Sequence, residues 1–429
     1  MTTNNITQKE FKTGGGAALF TLIICSLLYM VNYMDRQVFA VALEPMKQEL
    51  RLTDSQLGII GTVFLLSIAF FALPAGLLMD RWSRRKAVGI TAIGWSIFTY
   101  VTGLGKGFWG IFIPRSMVGV GEAGFSAGGT AMITAAYPPE SRSKAMGVFN
   151  MFIMLGIALG MILGGIIVTA YGWRMPFFVF AVPGVILGII AFFLKDYKTV
   201  KEVDGLGKKV GFFATVASLF RIPTLKWLFI GYAMQNVLAF SYLQWTAAYL
   251  MRCRDLTAAD AGKIIGIMSF GALIGSPLGG FLADKWQKKN ARGRMLLPVC
   301  TMIVMTALWV PSVILQFEGL GFVSGILFGT TVMMGLPALS AITQDVVTPG
   351  LKATSWGMCV LCMYVLGGGW APYLTGAISD ALGGGAYGLK VALLIASIGG
   401  VLATICLYIG SRHYEEDVVK VSGVVLEAE

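Results

Sequence analysis

Four ionisable side chains stand where a chain this apolar should have none. Asp35 and Arg36 are adjacent inside the run from Phe20 to Leu43, and Arg115 and Glu122 lie in the run 108–133. Each costs roughly 2.5–3.5 kcal/mol at the centre of a bilayer, so the four together cost about 10–14 kcal/mol unless paired or hydrated. Arg115 and Glu122 are two helical turns apart, which puts them on one face about 10.5 Å from each other along the axis. Lipid rejects such a face, so it turns inward. Burial in a low dielectric disfavours the charged form of a carboxylate, which suits Glu122 to accept and release a proton near neutral pH. Asp35 is a second candidate carrier, tuned by Arg36 or Arg115, and either arginine can grip an anionic substrate. The chemistry on offer is proton coupling and anion recognition along a pathway. A structural ion pair between two spans is the alternative reading.

The elements that must position these groups are membrane helices. The 429-residue chain is 56% hydrophobic and only 13% charged, with a mean hydropathy of +0.75. A soluble domain is nearer half apolar and a quarter charged, so the fold class is an all-α integral membrane protein. Its 55 glycines suit helices that pack closely without a hydrophobic drive between them. Twelve spans are expected, over 17–43, 57–79, 87–105, 108–133, 143–170, 174–194, 225–250, 260–283, 295–315, 319–343, 353–379 and 388–410. No signal peptide is expected, because the first apolar run is long enough to span and stay. With both termini cytoplasmic, about 23 of the 33 Lys and Arg fall on the cytoplasmic side and about 8 outside, as the positive-inside rule requires. The net charge of +11 is therefore a matter of topology, and nucleic acid is excluded as a partner. A multi-pass monomer of a plasma membrane, the inner membrane of a bacterium, is the expectation.

The chain reads as two halves. The polar stretch 195–224 separates an N-terminal six-helix bundle (1–194) from a C-terminal one with a short tail (225–429). Within it, 211–220 is apolar enough to lie along the inner membrane surface. After the second span comes Gly76-Leu-Leu-Met-Asp80-Arg81-Trp82-Ser83-Arg84-Arg85, and after the eighth Gly280-Phe-Leu-Ala-Asp284-Lys285-Trp286-Gln287-Lys288-Lys289. The Gly, Asp, base, Trp and paired bases recur at the same spacing. A weaker echo links Pro139 to Gly147 with Pro349 to Gly357. Repeated halves of six spans are the layout of a transporter whose substrate binds between them at the midplane. Asp80, Arg81, Arg84, Arg85, Asp284 and Lys285 sit at the cytoplasmic helix ends, where charges can pair across the inner mouth and release when it opens. The plainer reading is that these bases only hold the loops inside.

At this point the chain resembles the major facilitator superfamily, whose signature loop is close to Gly-x-x-x-Asp-Arg-x-Gly-Arg-Arg. Here Ser83 stands at the second glycine, which removes a residue free to adopt positive φ. The resemblance covers nearly the whole chain and is greatest to the spinster-like branch. It rests on Asn32-Tyr-Met-Asp35-Arg36-Gln37, on Arg115-Ser-Met-Val-Gly-Val-Gly-Glu122-Ala123, and on Trp370-Ala-Pro-Tyr-Leu-Thr-Gly-Ala-Ile-Ser-Asp380. The anion:cation symporter branch shares a Tyr-x-Asp-Arg opening and a glutamate in the fourth span. The resemblance implies proton coupling at Asp35 and Glu122, with Arg36 and Arg115 organising the switch. It also implies a cavity drawn from spans one, four, seven, eight, ten and eleven. Candidate lining groups there are Tyr33, Gln37, Asn236, Tyr242, Gln244, Trp245, Tyr364, Trp370 and Tyr373, whose aromatic bodies with polar tips suit an amphipathic or carboxylated solute.

Other motifs carry less. Gly119-Val-Gly121-Glu-Ala-Gly124 spells the dinucleotide fingerprint, but that motif needs a strand before it and a helix N-terminus after it. Inside an apolar span its glycines read as helix contacts. Gly156-Ile-Ala-Leu-Gly160, followed by Gly164-Gly165, likewise marks close packing. Cys359 and Cys362 have zinc-like spacing but no second ligand pair, and the one histidine is His413. No metal or cofactor is expected beyond the proton. Nothing supplies a membrane enzyme with a nucleophile, a metal or a phosphate-binding loop, and a sensor of this fold would carry a long soluble tail. The leading expectation is a proton-coupled secondary transporter of a small organic anion. Export of a lysolipid or another amphiphile is the competing substrate class.

Overall fold

The computed structural model describes residues 13–196, 212–348 and 351–422, and its regular elements are helices. Half of the segment expected to link the halves, 197–211, lies outside those residues. The first half comprises α1 (Gly15–Leu50), α2 (Asp54–Arg81), α3 (Arg84–Gly103), α4 (Phe108–Glu122), α5 (Phe125–Ala136), α6 (Pro139–Tyr171) and α7 (Met175–Ala191). The short α8 (Phe212–Phe220) follows in the linker, where Phe220 packs its ring on Phe229. The second half comprises α9 (Pro223–Arg254), α10 (Ala258–Gln287), α11 (Gly293–Ile314), α12 (Leu320–Val332), α13 (Leu336–Asp345), α14 (Lys352–Leu366), α15 (Ala371–Ala381) and α16 (Ala386–Ser422).

Three crossings are interrupted. α4 and α5 are one span broken at Ala123-Gly124, and α12 and α13 one broken at Met333-Met334-Gly335. α14 and α15 are joined through the 3-10 turn Gly368–Trp370. With each pair taken as one span, the twelve crossings of a major-facilitator-type arrangement are present. Eight spans among the described residues are long and apolar enough by themselves to cross a membrane; α3, the α4–α5 pair, α7 and α9 make up the rest. Glycine is a weak helix former, and each half places one at the break of its fourth span.

The repeat seen in the sequence is a repeat of structure. Arg51 (φ 53°) and Asp255 (φ 49°) end α1 and α9 in the left-handed conformation. They are 204 residues apart, as are Asp80 and Asp284. Within the first half α1 packs on α6, and α3 on α4 and α7; within the second, α9 packs on α16 and α10 on α12. Between the halves α2 meets α15 and α6 meets α10, two contacts that the repeat relates to each other. Gly165 and Gly262 make the second one close, because a Cβ on either would run into the carbonyl of Ala258 or Met161.

The bundle has a terminal face, where α1 begins and α16 ends, and an opposite far face. The bonds and close contacts joining the halves lie toward the far face: Gly58 against Pro372, Tyr373 N to Thr62, Ala259 N to Thr169. Further along the same helices Phe70 and Phe71 of α2 and Val148 and Met151 of α6 are exposed. The halves are locked at the far face and part toward the terminal face.

Candidate functional site

Asp35 and Arg36 lie in the middle of α1, where consecutive positions point about 100° apart and so serve different partners. Arg36 donates through Nε to Glu122 at 2.8 Å. Glu122 is the last residue of α4, and Asn32, one turn before Arg36 on α1, lies beside it. The Arg36 guanidinium rests over the Tyr33 ring at 4.4 Å, and Phe64 of α2 stands 5.7 Å away. Tyr364 of α14 lies near the same guanidinium from the other half, with its ring stacked on Phe240 at 5.8 Å.

Arg115 has a different place. It lies over Phe64 at 4.5 Å and Phe39 at 5.2 Å and donates through Nη2 to the backbone carbonyls of Asp35 (3.3 Å) and Arg36 (3.4 Å). Phe64 therefore separates the two arginines, and Arg115 braces the turn of α1 that holds the pair. Asp35 accepts one long bond, from the Thr99 hydroxyl of α3 at 3.4 Å, and its other carboxylate oxygen has no hydrogen-bond partner. Exposure divides the set. Asp35, Arg115 and Glu122 are 0–2% exposed, whereas the Arg36 side chain keeps 15%. Of the four, Arg36 is the one that a solute between the halves can touch.

The structure sorts the expected cavity residues. Tyr33 and Tyr364 flank Arg36 as described. Asn236 is buried, its amide spent on the Tyr232 carbonyl at 2.8 Å. Gln37 is buried near the α6 glycines, against Gly160. Tyr242 and Trp245 are corrections. Tyr242 is sealed against Trp309 and Phe328 with its hydroxyl toward Ser269, and Trp245 is fully buried with its indole N–H on the Pro372 carbonyl. Both belong to the packed interior of the second half, because an aromatic ring in an apolar span finds more contact in the core than at a cavity wall. Gln244 crosses to the Leu57 carbonyl at 3.4 Å, and Tyr373 binds Thr62 through its backbone, so both join the halves at the far face. Trp370 is exposed, its indole N–H returned to Val365.

At the terminal face Arg294, Asp284 and Asp345 find partners within their own half. Arg294 binds Asp284 at 2.9 Å and Asp345 at 2.7 Å, and Tyr414 donates to Asp345. Arg85 and Ser83 approach Asp196. Arg84 is buried, and Lys285 lies over Phe281. The side chains of Asp80 and Arg81, at the end of α2, lie outside the described residues.

The lock across the halves sits at the opposite end, in residues to which the sequence reading gave no role. Arg252 of α9 holds Asp54 of α2 with two 2.7 Å bonds and Glu44 of α1 with one of 2.6 Å. Lys47 and Ser379 also bond Asp54, each at 2.7 Å. Asp380 of α15 accepts from the backbone N–H groups of Asp54 and Ser55 at the start of α2, where the helix end favours an anion. The Asp54 side chain is fully buried. These partners are up to 326 residues apart, and no local spacing announces them. The available signal was the small number of bases on this side of the bundle.

A model of the Major Facilitator Superfamily matches residues 25–372. The chain is 28% identical over 304 residues to the hexuronate transporter of Bacillus subtilis, which covers 70% of this chain and 72% of that one. It is 27% identical over 416 residues to protein spinster homolog 1 of Xenopus tropicalis, covering 89% and 78%. In fold it is similar to the crystal structure of a bacterial homolog of the human lysosomal transporter Spinster, with a TM-score of 0.82 at 22% identity over 94% of this chain and 99% of that one.

Proposed function

The chain belongs to the major facilitator superfamily, and from that premise we propose that it is a proton-coupled transporter of a small organic anion, working by alternating access. One observation carries this reading. Arg36, the partly exposed cation of the midplane, is held by Glu122 at 2.8 Å. A substrate carboxylate and the Glu122 carboxylate compete for the same guanidinium. Protonation of Glu122 removes the competitor and frees Arg36 for the incoming anion, so proton and anion load together. Loss of the proton re-forms the pair and expels the substrate. Asp35, sealed one position away with a single weak partner, serves as the second proton site, and Arg115 positions the α1 turn that carries both. The hexuronate transporter among the relatives supports the choice of an organic anion.

We take the terminal face, with both chain ends, to be cytoplasmic, a reading supported by the excess of Lys and Arg on that side, and the membrane to be a bacterial inner membrane. The far-face lock then makes this an inward-open arrangement, and release of the Asp54–Arg252 pairing gives the outward-open one. The test is uptake into proteoliposomes under an imposed pH gradient, acid outside, with a panel of soluble carboxylates. At least one acid should accumulate in the wild type. Glu122→Gln should lose gradient-driven accumulation while keeping exchange of labelled for unlabelled substrate. Full accumulation by that variant would refute the coupling role, and movement of lysolipid with no acid would make the protein an amphiphile exporter.

A further inference from the structure

The two halves meet the substrate with unequal chemistry. No Asp, Glu, Lys or Arg occurs in 227–251, 264–283, 319–344 or 353–379, the stretches of the second half that face the centre. The 204-residue spacing that relates the ends of α1 and α9 sets Asp35 and Arg36 against Ala239 and Phe240. The paired helix breaks set Glu122 against Met333 and Arg115 against Ile326. All midplane charge therefore comes from the first half, and its counterparts in the second are apolar.

Three side-chain amide nitrogens of the second half that could read hydroxyls are turned to backbone. The Asn236 amide goes to Tyr232, the Gln235 amide to Val332 at 3.4 Å, and Gln244 to Leu57; Gln235 keeps 3% of its surface. What remains beside Arg36 is aromatic. Tyr364 lies near the guanidinium, Phe240 stacks on Tyr364, and Tyr232 pairs with Trp356 at 6.4 Å. Trp356, Val360 and Tyr364 recur every fourth residue and share one face of α14, a stripe about 12 Å long at 1.5 Å per residue. Trp356 and Val360 are partly exposed.

We propose that the substrate is a monocarboxylate with an aromatic or extended apolar body, its carboxylate on Arg36 and its body along the Trp356–Val360–Tyr364 face of α14. This rests on the reading of Arg36 as the anion site and narrows its substrate class. A polyhydroxylated acid finds the charge but few accessible partners for its hydroxyls, since the unpaired amide atoms of Asn32 and Gln235 are buried, and hydroxyls left without a partner lose hydrogen bonds to water. Tyr364 is the specificity-determining residue, since it stands near the charge and belongs to the stripe.

Calorimetric binding to the purified full-length protein tests this with hippurate, D-gluconate and L-lactate as probes, three acids of equal charge. Hippurate should bind at least tenfold more tightly than gluconate. Tyr364→Ala and Trp356→Ala should each weaken hippurate at least fivefold more than they weaken lactate, while Tyr364→Phe keeps most of the hippurate affinity. Gluconate binding as well as hippurate, or equal losses for all three acids in the alanine variants, would overturn the inference and leave the anion reading standing. Binding of none of the three, with wild-type protein shown to be folded by its melting curve, would overturn both.

Discussion

Arg36 is bonded to Glu122 inside its own half, and in the proposed mechanism it exchanges that partner for a substrate carboxylate between the halves. In that exchange its planar fork would let it trade one carboxylate for another without losing geometry. Arg36→Lys keeps the charge but loses the fork, and the KM for the transported acid should rise about tenfold, equivalent to about 1.4 kcal/mol. An unchanged KM in uptake assays would mean that another cation receives the substrate. The four ionisable residues were legible in the sequence because charge inside an apolar run has few innocent explanations. Their pairing was not. Asp35 and Arg36 are neighbours in the chain, yet Glu122 holds Arg36 while Thr99 is the one side chain bonded to Asp35, a division set by the rotation of α1 against α3 and α4. The aromatic candidates failed at Tyr242 and Trp245 for a related reason: sequence shows that a ring is present in a span but not which face of the helix it occupies.

Helices α1, α6 and α10 meet through glycines, and the partner decides what each contact does. Gly156 lies against the Met30 carbonyl of α1, inside one half, at 2.5 Å from where its Cβ would stand. Gly165 lies against Ala258 of α10, across the halves. Gly156→Val should overpack the first half and lower the melting temperature of the purified protein, with a cost of about 1–3 kcal/mol. Gly165→Val should leave the melting temperature nearly unchanged and cut transport at least fivefold by wedging the halves apart at the far face. Equal melting temperatures for the two variants, measured with transport in parallel, would contradict this division. The stretch from Gly156 to Gly165 announced close packing in the sequence, but not that its two ends serve different interfaces. The breaks in the fourth and tenth spans were also hidden, since a glycine in an apolar run is compatible with an unbroken membrane helix.

At the scale of the molecule, the charged lock lies at the opposite end from the repeated loops that drew attention in the sequence. Twelve crossings and two halves were legible because hydropathy and the repeat are local or periodic signals. The lock joins α1, α2, α9 and α15, which only the closed bundle brings together. Breaking a buried charged pair by removing one partner is strongly destabilising, so Arg252→Ala should shift the population toward the outward-open arrangement. A cysteine placed at Leu57, fully buried here, should then react at least tenfold faster with an impermeant maleimide added from the far side. Unchanged labelling would mean that the lock does not control opening. The central claim is the exchange of Arg36 between Glu122 and a substrate carboxylate, and its most direct test is the number of protons taken up when substrate binds. Calorimetric titration of the best-transported acid, repeated in two buffers of different ionisation enthalpy, measures that number. The account predicts uptake of about one proton per substrate at neutral pH by simple linkage, abolished in Glu122→Gln. Binding without proton uptake, or with the same uptake in that variant, would contradict it.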